Sequence, residues 1–294
     1  MIKYADTAMY AAKAKGGARF QYFAREMNQA ATERLHIEYR LREALDGGQF
    51  VLHYQPKIDM TGRLTGLEAL LRWQVEGEAP LGPAQFIAIA EESGLIDEIG
   101  DWVIVTVCRQ LRAWIDQGLD APCVAINLST RQLRQPDLAV KVGRMLVESG
   151  LSPDMLEFEV TETAAMENPQ TAARRLDELG AMGLTLSIDD FGTGYSSLSH
   201  LRSLPLDALK IDRSFVRDIA SDANDLAIAR GTIALAHSLG LRVVAEGVET
   251  MAQWQLLRGL GCDEVQGYLI ACPAPAEELA GILALGSIQL AARP

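Results

Sequence analysis

The chain has 294 residues, 49% of them hydrophobic, which is enough material for one large α/β core and excludes a disordered chain. Its 27 Lys and Arg residues against 39 Asp and Glu residues give a net charge of −12. No chain-wide positive field therefore exists to attract a DNA or RNA polymer or an anionic membrane, and a phosphate-bearing ligand must be held by local cations or by metal.

Cysteine and histidine provide no metal motif, because the four cysteines lack CxxC spacing and the four histidines form no HExxH pair. A metal, if bound, must be held by oxygen. No signal peptide opens the chain and no apolar run is long enough to cross a bilayer. We expect a segment without membrane contact in a reducing, cytoplasmic compartment, although its parent protein could be anchored in a membrane.

Residues 1–24 form an amphipathic segment that is broken at Gly16 and Gly17, and aromatic residues follow this break. A single helix and strand cannot bury themselves alone, so we interpret this stretch as the end of an upstream domain. Residues 25–48 are then a helical connector with the first helix of the main domain, which covers 49–294. The alternative is an ordinary amphipathic N-terminal helix of the main domain.

From residue 50 onward, short β-rich runs alternate with longer helical patterns, which predicts a (β/α)₈ barrel, with an open doubly wound sheet as the alternative. The absence of GxGxxG and GxxxxGK[ST] argues against the nucleotide-binding form of that open sheet. The predicted strands are 50–54, 64–71, 124–127, 156–160, 185–189, 208–211, 243–246 and 264–267, and the main predicted helices are 83–93, 100–117, 138–149, 169–182, 225–239 and 252–260.

Nearly every predicted strand carries an acid, an amide or a lysine at or near its end. The ends of barrel strands meet at one mouth, where acids this close together require cations. Oxygen ligands favour Mg²⁺ or Mn²⁺ over softer metals, and adjacent carboxylates can bridge two of them. These residues are Glu68, Asn127, Glu159, Asp189, Asp190, Lys210, Asp212, Glu246 and Gln266.

Each residue also has a simpler interpretation when it is taken singly. Asp189 and Asp190 could form a turn with an Asx hydrogen bond, and Asn127 could only shape its loop. Glu68 and Glu159 could be partly exposed strand residues, and Lys210 could pair with Asp212. All of these interpretations would have to hold together at successive strand ends to remove the site.

Seven sequence blocks in order carry a family resemblance: QP at Gln55, EAL at Glu68, NLS at Asn127, EVTE at 159–162, DDFGTGYSSL at 189–198, LKIDRSFV from Leu209 and VVAEGVET from Val243. Over about 240 residues the chain resembles the EAL-domain family of cyclic di-GMP phosphodiesterases. The resemblance implies a modified (β/α)₈ barrel with its first strand antiparallel to the others. It also implies two-metal hydrolysis of cyclic di-GMP to linear pGpG with Mg²⁺ or Mn²⁺.

The resemblance further assigns roles to individual residues. Glu68, Asn127, Glu159 and Asp189 would bind one metal, and Asp189, Asp190 and Glu246 the other. Lys210, Glu246 and Glu249 are the catalytic candidates, with Lys210 orienting the nucleophile or stabilising phosphoryl charge. Arg72 is placed on a substrate phosphate, a task that suits a planar guanidinium, although an Arg beside Trp73 could also be a surface residue. Gln55, Asp212 and Gln266 complete the substrate-binding set, and the alternative for Gln55 and Gln266 is support of the site by hydrogen bonding without substrate contact.

The loop after the fifth strand is expected to couple metal binding to dimer contacts, braced by Glu162 and formed by Phe191, Gly192, Thr193 and Gly194. An ordinary flexible loop is the alternative. Because this loop makes dimer contacts in the family, the resemblance implies a homodimer. Residues 1–24 are similar to the tail of a GGDEF domain without its signature loop, so GGDEF or sensory domains upstream are the expected regulatory partners.

One segment departs from the family pattern, because 269–273 read Leu-Ile-Ala-Cys-Pro where an aromatic and then a basic residue are usual. The difference concerns the rim of the substrate pocket, at Ile270, Ala271 and Cys272, and therefore the affinity for substrate. It lies past the predicted metal ligands. Two other functions stay open at this stage. One is a receptor of the same fold that binds cyclic di-GMP without cleaving it, and the other is a metal-dependent barrel acting on a different phosphodiester.

Overall fold

A computed structural model describes residues 25–75, 81–193 and 198–290. The segment 1–24, which we interpret as the remnant of an upstream domain, and Gly194 of the predicted coupling loop lie outside these residues. The chain divides into two compact units: a larger one of Leu52–Arg72 and Asp97–Pro294, and a smaller one of Met1–Val51 and Trp73–Ile96.

Eight strands of the sheet close into a barrel in the order β2-β3-β4-β5-β6-β7-β8-β1, because β1 also pairs with β2. Neighbours from β2 to β8 are parallel, whereas β1 is antiparallel to β8. Both the barrel and the antiparallel first strand are confirmed. The strands are β1 (Phe50–Asp59), β2 (Leu64–Trp73), β3 (Cys123–Leu128), β4 (Leu156–Thr161), β5 (Thr185–Phe191), β6 (Ala208–Ile211), β7 (Arg242–Ala245), β8 (Glu264–Gln266) and a short β9 (Ala274–Pro275) that pairs with β1.

Helices follow most of the parallel strands, as expected for this architecture. Several begin at side-chain caps; Thr250, for example, forms a reciprocal capping box with Gln253. The helices are α1 (Arg25–Asp46), α2 (Ile87–Ser93), α3 (Ile96–Asp116), α4 (Thr130–Leu133), α5 (Leu138–Ser149), α6 (Glu162–Glu167), α7 (Pro169–Gly180), α8 (Leu198–Leu201), α9 (Arg213–Arg217), α10 (Ala223–Ser238), α11 (Met251–Leu260) and α12 (Ala280–Leu285).

The sequence predictions differ from the structure mainly in short elements. The single helix predicted at 83–93 is a 3₁₀ turn, Pro83–Gln85, followed by α2. The prediction did not include α4, α6, α8, α9 and α12, because helices of four to six residues are too short to produce a recognisable apolar period. The first strand is five residues longer than predicted, since β1 continues through the polar residues that enter the barrel interior.

In the smaller unit, three aromatic rings form a cluster. The ring centroids of Phe50 and Trp73 are 6.1 Å apart, and those of Trp73 and Phe86 are 5.6 Å apart. The indole Nε1 of Trp73 donates a hydrogen bond to Gln49 Oε1 at 3.1 Å. The cluster gives this unit its own apolar centre.

No helix within the described ranges combines the length and the apolar character that a membrane crossing requires.

The barrel interior is unusually polar. A barrel of this kind is normally filled by branched apolar side chains. Here β4 directs two glutamates inward, Glu157 and Glu159, both nearly fully buried. Two lysines, Lys57 on β1 and Lys210 on β6, are equally buried. Because buried charges are very costly unless they are paired, the arrangement of their partners is the central feature of this fold.

Candidate active site

Four carboxylates from four strand segments surround one ammonium group at the mouth of the barrel. Lys210 Nζ lies 2.5 Å from Glu159 Oε2 and 2.5 Å from Glu246 Oε1. It lies 3.6 Å from both Glu68 Oε2 and Asp189 Oδ2. The Lys210 side chain is fully buried, so its charge interacts with these acids with little screening by water. The predicted convergence of these residues therefore exists in the folded chain.

A chain of amides fixes Glu68 within this cluster. Gln266 Nε2 donates to Glu68 Oε2 at 2.6 Å and to Gln55 Oε1 at 3.0 Å. Gln55 Nε2 in turn donates to the carbonyl oxygen of Ala271 at 3.1 Å. Asn127 Nδ2 donates to the other oxygen of Glu68, Oε1, at 2.8 Å. Both carboxylate oxygens of Glu68 are thus held by amide donors, which restricts its orientation.

The adjacent acids Asp189 and Asp190 depend on an irregularity in β5. The register between β5 and β6 shifts between Ile188 and Phe191, which is a β-bulge or similar interruption. Asp190 has a positive φ of 55°, a left-handed conformation that Asp tolerates better than most residues. Its backbone N–H donates to Asp189 Oδ1 at 2.8 Å. A regular strand would direct neighbouring side chains to opposite faces, and this local distortion relaxes that constraint.

Glu162 holds the start of the following loop. Its side chain is buried, and Oε2 accepts a hydrogen bond from the backbone N–H of Gly192 at 2.8 Å. Gly192 has a φ of 98°, and a Cβ atom there would lie 2.9 Å from the Phe215 ring. Thr193 Oγ1 donates to the carbonyl oxygen of Asp190 at 2.8 Å. The predicted contact between Glu162 and this loop is therefore present. Phe191, the last residue of β5, is buried.

Three predicted residues lie at the periphery. The Arg72 guanidinium, half-buried, donates to the carbonyl oxygen of Leu71 at 2.8 Å. Burial lowers the pKa of Arg72, against the nearby Tyr268 and Glu68, which raise it. Asp212 caps α9, since its Oδ1 accepts from the Ser214 backbone N–H at 3.0 Å. Glu249 is exposed on the loop after β7.

The acids of the cluster differ in the direction in which their pKa values are shifted. Burial raises the pKa of Glu246 to about 8, with Lys210 opposing the shift, and burial also raises the pKa of Glu159 well above its ordinary value. Burial disfavours ionisation of Glu68 as well, but Lys210 and the amide hydrogen bonds lower its pKa overall. The pKa of Asp190 is raised to about 6 by burial and by the charges of Asp189 and Asp212. One lysine is therefore too little positive charge for this many acids, and further cations would favour their ionised forms.

A second buried ion pair, which the sequence analysis did not single out, lies deeper in the same barrel. Lys57 Nζ lies 2.6 Å from Glu157 Oε2 and 3.7 Å from Glu159 Oε1. The pKa of Glu157 is lowered to about 2, because Lys57 outweighs the effect of burial. The available signal was the alternation Glu157-Phe158-Glu159, which directs both glutamates to the same face of β4.

The donor chemistry of the cluster fits hard divalent cations. Its side chains offer carboxylate and amide oxygens, the ligands that Mg²⁺ and Mn²⁺ prefer. Two buried oxygens, Glu159 Oε1 and Gln266 Oε1, accept no hydrogen bond from any described residue. In the structure the acids surround the Lys210 ammonium. Among the described residues, no three His, Cys, Asp or Glu side chains are arranged around a common point where a metal ion could bind. Cations entering here would share these oxygens with Lys210.

The matching family model is the EAL domain, over residues 38–273. The chain is 46% identical over 276 residues to the bifunctional diguanylate cyclase/cyclic di-GMP phosphodiesterase MucR of Pseudomonas aeruginosa, covering 94% of this chain and 40% of that protein. It is 42% identical over 276 residues to the cyclic di-GMP phosphodiesterase PdeR of Escherichia coli, again covering 94% of this chain and 42% of that protein. The chain therefore spans well under half the length of these two relatives.

Among solved structures, the PaMucR phosphodiesterase in complex with c-di-GMP superimposes with a TM-score of 0.80 at 46% sequence identity. The superposition covers 83% of this chain and 99% of that one.

Proposed function

Because this chain belongs to the EAL domain family, we propose that it hydrolyses cyclic di-GMP to linear pGpG. The observation that carries the proposal is the convergence of Glu68, Glu159, Asp189 and Glu246 around Lys210. The phosphodiesterase activity named for the relatives MucR and PdeR supports it.

Two divalent cations, Mg²⁺ or Mn²⁺, complete the site in this proposal. Glu68, Asn127, Glu159 and Asp189 would hold one of them, and Asp189, Asp190 and Glu246 the other. Bound cations of this kind neutralise the acids, activate water and stabilise both the attacking and the leaving oxygen of a phosphoryl transfer.

The reaction adds one water molecule to one phosphodiester bond of the cyclic dinucleotide. The water oxygen forms a bond to phosphorus, the bond from phosphorus to the 3′ oxygen breaks, and the proton lost by the water is balanced by the one that the 3′ oxygen gains. Glu246 is better placed than Glu249 to take the water proton, since it lies inside the cluster whereas Glu249 is exposed. The Lys210 ammonium stabilises negative charge on the phosphoryl oxygens.

Arg72 and Tyr268 define the side of the mouth that would receive the nucleotide. The half-buried guanidinium suits a phosphate, which it can bind with two parallel hydrogen bonds. Tyr268 is 58% exposed and has an apolar ring available to a ligand. Gln55 and Gln266 serve this site by orienting Glu68.

The test is incubation of the purified protein with cyclic di-GMP and Mg²⁺ or Mn²⁺, followed by chromatography for pGpG. We expect product from the wild type, none from Glu68→Ala, and wild-type rates from the matched control Glu148→Ala, which changes an exposed glutamate on α5. Tight binding of cyclic di-GMP without product would instead identify a receptor. Neither binding nor product would indicate a different phosphodiester substrate.

We also propose that the domain works as a cytoplasmic homodimer under the control of upstream GGDEF or sensory domains. The contact between Glu162 and Gly192 supports a loop that responds to the site at one end and to a second subunit at the other. Light scattering of the purified chain with and without cation and substrate tests the dimer. A monomer under all of these conditions would contradict it.

A further inference from the structure

Lys57 is a buried lysine that none of the proposed catalytic steps uses. It lies on β1, the antiparallel strand, with 2% of its surface exposed. Its ammonium lies 2.6 Å from Glu157 Oε2 and 3.7 Å from Glu159 Oε1. Glu159 is a proposed cation ligand, so Lys57 is one contact away from the reaction centre.

The barrel leaves a specific space for this side chain. Gly66 lies on the adjacent strand β2, and a Cβ atom there would lie 3.0 Å from Lys57 Cε and 3.2 Å from the carbonyl oxygen of Cys123. A larger residue at position 66 would therefore displace the lysine. Glycine inside a strand weakens it and often marks a close approach, and here the approaching group is the Lys57 side chain.

Fold stability is a poor explanation for this ion pair. Removing two charges from water is costly, and apolar residues of similar volume often replace buried pairs with no loss of stability. A pair of Lys57 and Glu157 alone would satisfy both charges. The additional approach of Lys57 to Glu159 therefore needs another reason.

Glu159 lies between two lysines that contact different oxygens of its carboxylate. Lys210 Nζ is 2.5 Å from Oε2, while Lys57 Nζ faces Oε1. Within the described part of the chain, Oε1 accepts no hydrogen bond, so the Lys57 ammonium is the charged group that fixes its direction. A carboxylate held from both sides cannot rotate about its final bond without losing one of the two contacts.

We propose that Lys57, held in place by Glu157, is a positioning residue that fixes the orientation of the Glu159 carboxylate for cation binding. The inference rests on the proposed function of the same site. It predicts that cation affinity and turnover depend on Lys57, whereas binding of the nucleotide does not. Groups that orient metal ligands typically contribute about 10-fold to 100-fold in affinity or activity.

The test uses Lys57→Met/Glu157→Gln, which removes the charges as a pair and keeps the side-chain volumes. The control is Arg175→Met/Glu178→Gln on α7, a partly buried ion pair in which Arg175 Nη1 contacts both carboxylate oxygens of Glu178. Mn²⁺ affinity is measured by calorimetry without substrate, and kcat and KM for cyclic di-GMP are measured with Mn²⁺ in excess. We expect Mn²⁺ binding and kcat about tenfold lower in the first variant, with KM within twofold of the wild type.

Unchanged Mn²⁺ affinity and kcat in a folded variant would overturn the inference, and tighter Mn²⁺ binding would also overturn it, since Lys57 would then only repel cations. If the double variant does not fold, Lys57→Gln, whose amide can still donate to Glu157, is measured in its place. A wild type that binds Mn²⁺ but forms no pGpG would contradict the proposed function alone, because the calorimetric comparison still tests Lys57.

Discussion

Gln266 and Glu68, 198 residues apart in the chain, are joined by a hydrogen bond of 2.6 Å between Nε2 and Oε2. The bond connects the last strand of the barrel to the second across the intervening β1. It favours one of two roles for Gln266, because a residue that orients Glu68 affects the chemical step, whereas a residue that contacts substrate affects binding.

The first prediction concerns that bond. Gln266→Leu leaves Glu68 without its Oε2 donor and Gln55 without its partner, so we expect kcat about tenfold lower with KM little changed. Steady-state kinetics with cyclic di-GMP and Mg²⁺ measure both constants, and the exposed Gln117→Leu serves as control. A raised KM at constant kcat would instead indicate direct contact with substrate.

The second prediction separates the charge of Asp190 from its backbone conformation. Asn tolerates the left-handed region as Asp does, whereas Ala does not, and the left-handed conformation costs an ordinary residue about 1 kcal/mol or more. Both Asp190→Asn and Asp190→Ala should therefore lose activity, but only Asp190→Ala should also lower the free energy of unfolding. Urea denaturation of the cation-free proteins measures this difference. Equal stability of the two variants would remove the argument from backbone strain.

The third prediction concerns Glu162 and the loop that it holds. Glu162→Gln retains an oxygen that can accept from the Gly192 N–H, whereas Glu162→Leu leaves that N–H without its partner. We expect faster amide hydrogen exchange at residues 190–193 and reduced turnover in the Leu variant, with the Gln variant close to the wild type. Identical exchange in all three proteins would show that this hydrogen bond does not order the loop.

The fourth prediction concerns the pH dependence of stability without cations. Glu246 has a pKa of about 8 in the folded chain against an ordinary value of 4.5, so the folded state binds more protons than the unfolded state between these limits. Its contribution to stability is fully present below pH 4.5 and is lost as the pH rises to about 8. In EDTA, the Glu246 contribution should lower Tm as the pH rises towards about 8 and should level off above that value.

Glu246→Gln is the control for this experiment, because an amide does not titrate. The fall in Tm should be smaller in this variant, with a residual slope from Glu159, whose pKa is also raised. Added Mg²⁺ should flatten the wild-type curve by favouring the ionised carboxylates. Parallel curves for wild type and Glu246→Gln would contradict the assigned shift.

The sequence was sufficient to predict the barrel, its antiparallel first strand and the meeting of Glu68, Glu159, Asp189, Lys210 and Glu246. The barrel and the meeting of these residues follow from alternating elements and from polar residues at strand ends, which are local properties of the chain, whereas the antiparallel first strand was implied only by the family resemblance. The assigned roles, including metal ligation by these residues, remain predictions.

What the sequence did not reveal depends on partners across the barrel. Lys57 in a strand is typical of an exposed edge, and only the closed barrel shows that it meets Glu157, 100 residues later. The capping role of Asp212 was missed because α9 is too short to be predicted. The bond from Gln55 to the Ala271 carbonyl involves no side chain at 271, so no pattern of residue types could indicate it.

That last bond has a practical consequence for protein engineering. The turn that presents the Ala271 carbonyl is anchored by its own main chain, with Ala271 N–H donating to Gly267 O at 3.1 Å and Leu269 N–H donating to Val248 O at 3.0 Å. The side chains of Leu269, Ala271 and Cys272 can therefore be randomised in a library that seeks altered ligand preference while Gln55 keeps its acceptor, whereas the buried Ile270 should be kept. Gly267 should be left out of such a library, since a Cβ atom there would lie 2.2 Å from Val248 O.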